Sequence, residues 1–246
     1  MTKKDTLGSS HKSSKPISDK PTKRGGNRKV LWIAIAAAAV LVIALIAVAV
    51  LNQPKTTTAA VPGVSVAERV NQPVDRKIIG DPESPVLIEI YEDFQCPHCQ
   101  RFNADMEDTI LDELVAPGIA RYSYNHRFVI GPDSLTAGMA TECAADQGMF
   151  WEYHDTLFVA VANDSRAVAV GNLKGLAEDL GLDAGQFNKC MDSKEHYDEV
   201  VRADTDASDQ GINSTPTVLI NGELYQGAYE PGEFKAAVEA AAEASS

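Results

Sequence analysis

The chain has 246 residues, a formal net charge of -13 and 44% hydrophobic residues, enough for one folded domain of moderate size with appendages. The charge is split: residues 1–29 carry nine Lys or Arg against two Asp or Glu, and the remainder carries thirteen against thirty-three. An acidic body argues against nucleic acid as a partner, because phosphate recognition needs a basic footprint.

Residues 1–29 are rich in Ser, Lys and Gly with almost no apolar residues, and read as a basic, disordered cytoplasmic tail. Val30 to Leu51 then run for 22 residues without a charge. At 1.5 Å per residue a helix of that length spans roughly 33 Å, matching a hydrocarbon core of about 30 Å. Signal-peptide cores are shorter, about 7–15 residues, so an uncleaved transmembrane anchor is expected. Lys23, Arg24, Arg28 and Lys29 precede it directly. The positive-inside rule then leaves the N-terminus in the cytoplasm and exports everything after residue 51. Residues 52–74, with Pro, Thr and Ala and no clear period, read as a linker.

The folded domain is expected from Asp75. Pro85 to Tyr91 is an apolar, β-branched run and predicts a buried strand. It leads through Glu92-Asp93-Phe94-Gln95 into Cys96-Pro97-His98-Cys99. Phe102, Met106, Ile110, Leu111 and Leu114 follow, mostly three or four apart, as on one face of a helix. Pro97 suits the first helical turn, where its missing N–H costs nothing. Residues 119–130 alternate in part and predict a second strand. A helical block covers residues 134–209, punctuated by Gly171 and Gly181. Thr217 to Ile220 predicts a strand, Asn221-Gly222 a two-residue turn, Glu223 to Tyr225 its return, and Pro231 to Ala242 a closing helix. Strand–helix–strand requires a crossover and a parallel pair, so the order predicts an α/β fold with a mixed sheet and a helical insertion.

Export decides how the four cysteines read, since an oxidising compartment permits disulfides. Cys96 and Cys99 sit at a strand-to-helix junction, as disulfide exchange requires: an attacking thiolate, a second thiol in reach and access for a partner. The unpaired N–H groups and dipole of the helix end favour negative charge on Cys96, the nucleophile. Cys99, one turn in, is placed to resolve a mixed disulfide. The imidazole of His98 is expected to favour the Cys96 thiolate further. A zinc half-site would need a second close Cys/His pair, which the spacing does not offer, so no metal and no cofactor are expected. An inert short-loop disulfide fits the strand–helix context less well than a redox motif. Cys143 and Cys190, 47 residues apart, are expected to bond to each other.

The segment Tyr91 to Cys99 resembles the active site of DsbA-like thiol–disulfide oxidoreductases of the thioredoxin superfamily. Gly211 to Thr217 is similar to that family's cis-proline loop, and Gln147 to His154 to part of its helical insertion. The resemblance implies a thioredoxin fold, residues 75–131 and 205–246, interrupted by a helical domain at 132–204. It implies Cys96 as nucleophile, Cys99 as resolving thiol, Pro97 and His98 as tuning residues, a cis Pro216, and Thr215 offering its backbone to a client strand. It also implies oxidation of reduced exported proteins and reoxidation by a membrane quinone-linked partner. A reductase or isomerase on the same fold, or a non-enzymatic binding module, are the rival readings. Relatives often carry a buried acid six residues before the first cysteine, where this chain has Ile90. Glu89 is expected on the opposite strand face. Asp93 or Glu92 could stand in for that acid in handling the Cys99 proton, but each reads more readily as a solvated loop acid.

Overall fold

The computed structural model describes residues 66–245. The tail, the apolar run 30–51 and the first part of the linker lie outside the described residues. Among the described residues no helix is long and apolar enough to cross a membrane.

Ordered structure begins ahead of Asp75. A short helix α1, Val66–Val70, buries Val66 and Val70 against the domain, and Val66 N–H donates to Glu152 Oε1 at 2.8 Å. Two-residue strands follow, β1 (Val74–Asp75) and β2 (Ile78–Ile79), paired antiparallel. The end of the expected linker is therefore part of the folded domain, because its few apolar residues find core partners.

The sheet has six strands in the order β1-β2-β4-β3-β5-β6. Strand β3, Val86–Glu92, lies at its centre, and Val86, Ile88 and Ile90 on one face are wholly buried. It pairs in parallel with β4 (Ala120–His126), Val86 opposite Ala120 and Glu92 opposite His126. On the other side it pairs antiparallel with β5 (Thr217–Ile220), Ile90 opposite Val218. The Asn221-Gly222 turn carries β5 into β6, Glu223–Leu224. The crossover between β3 and β4 is helix α2, Pro97–Asp108, which runs on as a π-helical stretch over Thr109–Val115. Phe102, Met106, Ile110, Leu111 and Leu114 are all buried, as their spacing requires. Each such side chain contributes about 1.5–3 kcal/mol of burial.

The helical block comprises α3 (Pro132–Ala145), α4 (Phe150–Asn163), α5 (Val170–Asp179), α6 (Ala184–Ser193) and α7 (Tyr197–Asp209). Trp151, Tyr153, Leu157, Leu173 and Phe187 fill its interior, and the buried Tyr153 hydroxyl donates to Leu173 O at 2.9 Å. A disulfide joins Cys143 on α3 to Cys190 on α6, Cα atoms 5.9 Å apart. Helix α8, Pro231–Ala244, packs Phe234 and Val238 into the core. The fold is thus thioredoxin-like α/β, a mixed sheet with helices on its faces and a helical insertion after β4.

Strand β4 ends at His126 although residues 127–130 continue its pattern. The side chain of Asp93 accepts from the N–H groups of Val129 and Ile130 at 2.9 and 3.0 Å, and Asp204 accepts from the N–H of Phe128 at 2.8 Å. Carboxylates thus replace a strand partner and turn the chain beside the Cys96 loop.

Candidate active site

Cys96 is the N-cap of α2, with extended backbone, and Pro97 opens the helix. The loop before it is tied down locally: Cys96 N–H donates to Asp93 O at 2.9 Å, and Gln95 N–H to Asp93 Oδ1 at 2.9 Å. Cys96 and Cys99 are both free thiols, and both are buried. The loop Gly211 to Pro216 comes up from α7 and presents a cis Thr215–Pro216 peptide. The Cys96 thiol donates to Thr215 O at 3.5 Å, so the backbone of Thr215 faces the sulfur. Beside it opens a cleft of about 340 Å³ lined by His98, Arg101, Phe102, Asp105, Thr215, Pro216 and Tyr229.

The two sulfurs have opposite electrostatics. Cys96 is pushed down to about 5. A hydrogen bond from the Cys99 thiol contributes most, helped by the Thr215 hydroxyl and the backbone N–H groups of Cys99 and His98, against the cost of burial. These N–H groups are the unpaired donors of a helix N-terminus, where negative charge is favoured. Cys99 is pushed far above the ordinary thiol range by burial, by its hydrogen bond to Cys96 and by the nearby Glu92 charge.

His98 stands in the site differently from the sequence expectation. Its side chain is exposed, and Nδ1 lies 3.1 Å from the Arg101 guanidinium. What favours the Cys96 thiolate is the His98 backbone N–H.

Glu92 and Asp93, expected to be solvated, have no exposed surface. Asp93 accepts three backbone N–H bonds and shapes the loop. Glu92 ends β3 on the same face as Ile88 and Ile90, beneath the helix end that carries the cysteines. Burial pushes it up to about 7, and its Oε2 lies 3.4 Å from Asn103 Nδ2 and 3.9 Å from His154 Nε2. It was legible by period-two alternation extended one step, since a strand continuing to residue 92 carries Glu92 on its buried side. His154 was legible only as part of the Gln147 to His154 stretch. It is fully buried among Phe94, Tyr124, Phe150, Trp151 and Phe158, ring centroids 4.9–5.8 Å away.

The family model described as thioredoxin matches residues 72–240. Disulfide bond formation protein D of Bacillus subtilis (strain 168) is 26% identical over 166 residues, covering 66% of this chain and 75% of that protein. The Na(+)/H(+) antiporter NhaA 3 of Salinispora tropica is 33% identical over 162 residues, covering 65% of this chain and 24% of the antiporter. The chain therefore spans about a quarter of the length of that antiporter. The crystal structure of oxidised BdbD from Bacillus subtilis superposes with a TM-score of 0.63 at 22% identity, covering 70% of this chain and 96% of that one. With the paired thiols at a helix end, the facing cis-proline loop and these matches, the chain belongs to the thioredoxin family, with the DsbA-like architecture of a helical domain inserted in the fold.

Proposed function

We propose that this chain is a thiol–disulfide oxidoreductase that donates a Cys96–Cys99 disulfide to reduced exported proteins. The observation that carries the reading is the split between the sulfurs: Cys96 is held ionised well below neutrality while Cys99 is held protonated. A stabilised thiolate is a good leaving group and favours the reduced state, so the disulfide accepts electrons readily.

The reaction follows from the geometry. A client thiolate attacks Cys96 Sγ, the Cys96–Cys99 bond breaks, and Cys99 leaves. Cys99 cannot leave as a stable anion in its buried place, so it takes a proton, and Glu92, protonated below about 7, supplies it. The client's second thiolate then attacks its own sulfur in the mixed disulfide, and Cys96 departs as the thiolate. The client loses two electrons and two protons; Cys99 keeps one proton and the solvent the other. Thr215 offers backbone groups to the client strand beside the sulfur, a form of strand addition. Pro97 and His98 supply the helix opening and an N–H donor.

The 22 uncharged residues 30–51 support a membrane anchor with an extracytoplasmic catalytic domain. In that setting a membrane quinone-linked partner reoxidises the centre. Oxidation of a reduced, unfolded client tests the reading. The disulfide form oxidises it stoichiometrically, and Cys96→Ser abolishes the reaction. A centre with a potential near that of thioredoxin, about -270 mV, rather than above about -200 mV, makes the chain a reductase instead.

A further inference from the structure

Four ionisable groups form a buried row leading away from Cys99. Glu92 lies beneath the cysteines, and its Oε2 is 3.9 Å from His154 Nε2. On the far side of the imidazole, Nδ1 lies 2.8 Å from Asp155 Oδ1. A carboxyl oxygen of Glu107 on α2 lies within 4.8 Å of Asp155 and of the imidazole. Glu92 and the His154 side chain have no exposed surface, whereas the Asp155 side chain is 15% exposed. Glu92 Oε1, His154 Nε2 and Glu107 Oε1 are buried with no hydrogen-bond partner. The groups facing His154 are Glu92 from β3, Tyr124 from β4, Glu107 from α2 and Asp155 from its own helix, with Arg69 of α1 interacting with Glu107 and Asp155 at the outer end.

We propose that His154 and Asp155 carry protons between solvent and Glu92, making α4 of the helical insertion the proton inlet of the redox centre. The inference rests on the assignment of Glu92 as the donor to Cys99. Each reduction of the disulfide moves the Glu92 proton to Cys99, and the row reloads Glu92 from solvent; each reoxidation sends the Cys99 proton back out through Glu92 and the same row. Nδ1 takes a proton from Asp155, which meets water at the insertion surface, and Nε2 hands one to Glu92 when the 3.9 Å between them closes to hydrogen-bond distance or one water bridges it. Charge and atoms balance, because one proton enters for every Cys99 thiol formed. His154 and Asp155 act through Glu92 and do not touch the sulfurs, so they are proton-carrying positions rather than catalytic residues.

The test is steady-state electron transfer from dithiothreitol to oxidised glutathione by the full chain, which needs no protein client. At pH 6, where thiol chemistry is slow, His154→Gln and Asp155→Asn match the unsubstituted protein. At pH 8.5 the thiol steps accelerate and Glu92 must be reloaded against scarce protons. There both variants fall behind by roughly a hundredfold with a larger solvent deuterium effect, the lower end of what proton transfer contributes. Glu178→Gln, on the exposed face of α5, changes nothing. Equal turnover of folded variants at both pH values, or an equal loss at both, overturns the proposal. Should His154→Gln not fold, Asp155→Asn at the partly exposed end decides the matter alone. A wild-type protein that cycles between dithiothreitol and glutathione but leaves a reduced client untouched refutes the oxidase reading and leaves the proton inlet standing.

Discussion

The proton count of the redox reaction gives the sharpest test of the site. Cys96 is pushed down to about 5, and Cys99 is held protonated throughout the working range. Above pH 5 the reduced state therefore binds one proton per two electrons, and below pH 5 it binds two. A tenfold change in the equilibrium constant of a two-electron couple is about 30 mV. The midpoint potential should then fall by about 30 mV per pH unit above pH 5 and about 60 mV per unit below it. An ordinary dithiol, with both thiols near 8.5, falls by about 60 mV per unit up to pH 8. The sign follows from linkage: a lowered pKa in the reduced form favours that form increasingly as pH rises through it. At pH 7 the protein has climbed two pH units beyond its thiol pKa, which makes it more oxidising by about 60 mV. Solvent screening reduces such a shift, so roughly half to all of that is expected. Equilibration against glutathione buffers from pH 4 to 9, with alkylation and mass analysis of Cys96 and Cys99, reads the slope directly. A slope near 60 mV per unit between pH 5.5 and 8 would refute the claim that Cys96 is ionised there.

Other consequences are structural. Replacing Cys143 and Cys190 by Ala opens a loop of 47-residue separation, and the chain-entropy relation gives a loss of about 4 kcal/mol, seen as a lower urea midpoint with a somewhat steeper slope as the unfolded chain expands. A loss below about 1 kcal/mol would mean that the disulfide is not a structural brace. Asp93→Asn removes a buried carboxylate that accepts three backbone N–H groups and should cost about 2 kcal/mol. An unchanged denaturation midpoint would contradict its role in fixing the Cys96 loop. Gly138→Ala on α3 would set a methyl carbon 2.8 Å from Phe128 Cζ and 3.2 Å from His126 Nδ1. Overpacking there should cost about 1–3 kcal/mol, measured by thermal denaturation, and a neutral outcome would show that the Phe128 ring moves freely.

Much of the fold could be read from spacing because its elements obey a single period. The apolar run before Cys96, the three-and-four spacing after it and the Asn221-Gly222 turn each point to one conformation, and each has its element. The parts that escaped reading depend on distant partners. Strands β1 and β2 are two residues each and carry no alternation; they exist because β2 pairs with β4, Ile78 opposite Ser123. Helix α1 is five residues long and is held by Glu152 of the insertion. Residues 127–130 keep a strand-like pattern yet leave the sheet, because the carboxylates of Asp93 and Asp204 accept the N–H groups that a neighbouring strand would have taken.

The acids show where composition misleads and geometry does not. Glu92 and Asp93 look like loop residues beside a turn, and acidic loop residues ordinarily face water. Yet β3 does not end at Tyr91. It pairs with β4 through Glu92 opposite His126, and that one further residue fixes which way the carboxyl points. Ile90 occupies the place where relatives often have an acid, and Glu92 lies two residues on, displaced by roughly 6.6 Å along the same face. The acid has moved one pleat towards the cysteines while remaining on the core side of the sheet. From there it meets an imidazole supplied by the helical insertion, which ties the chemistry of Cys99 to a domain that contributes no sulfur to it.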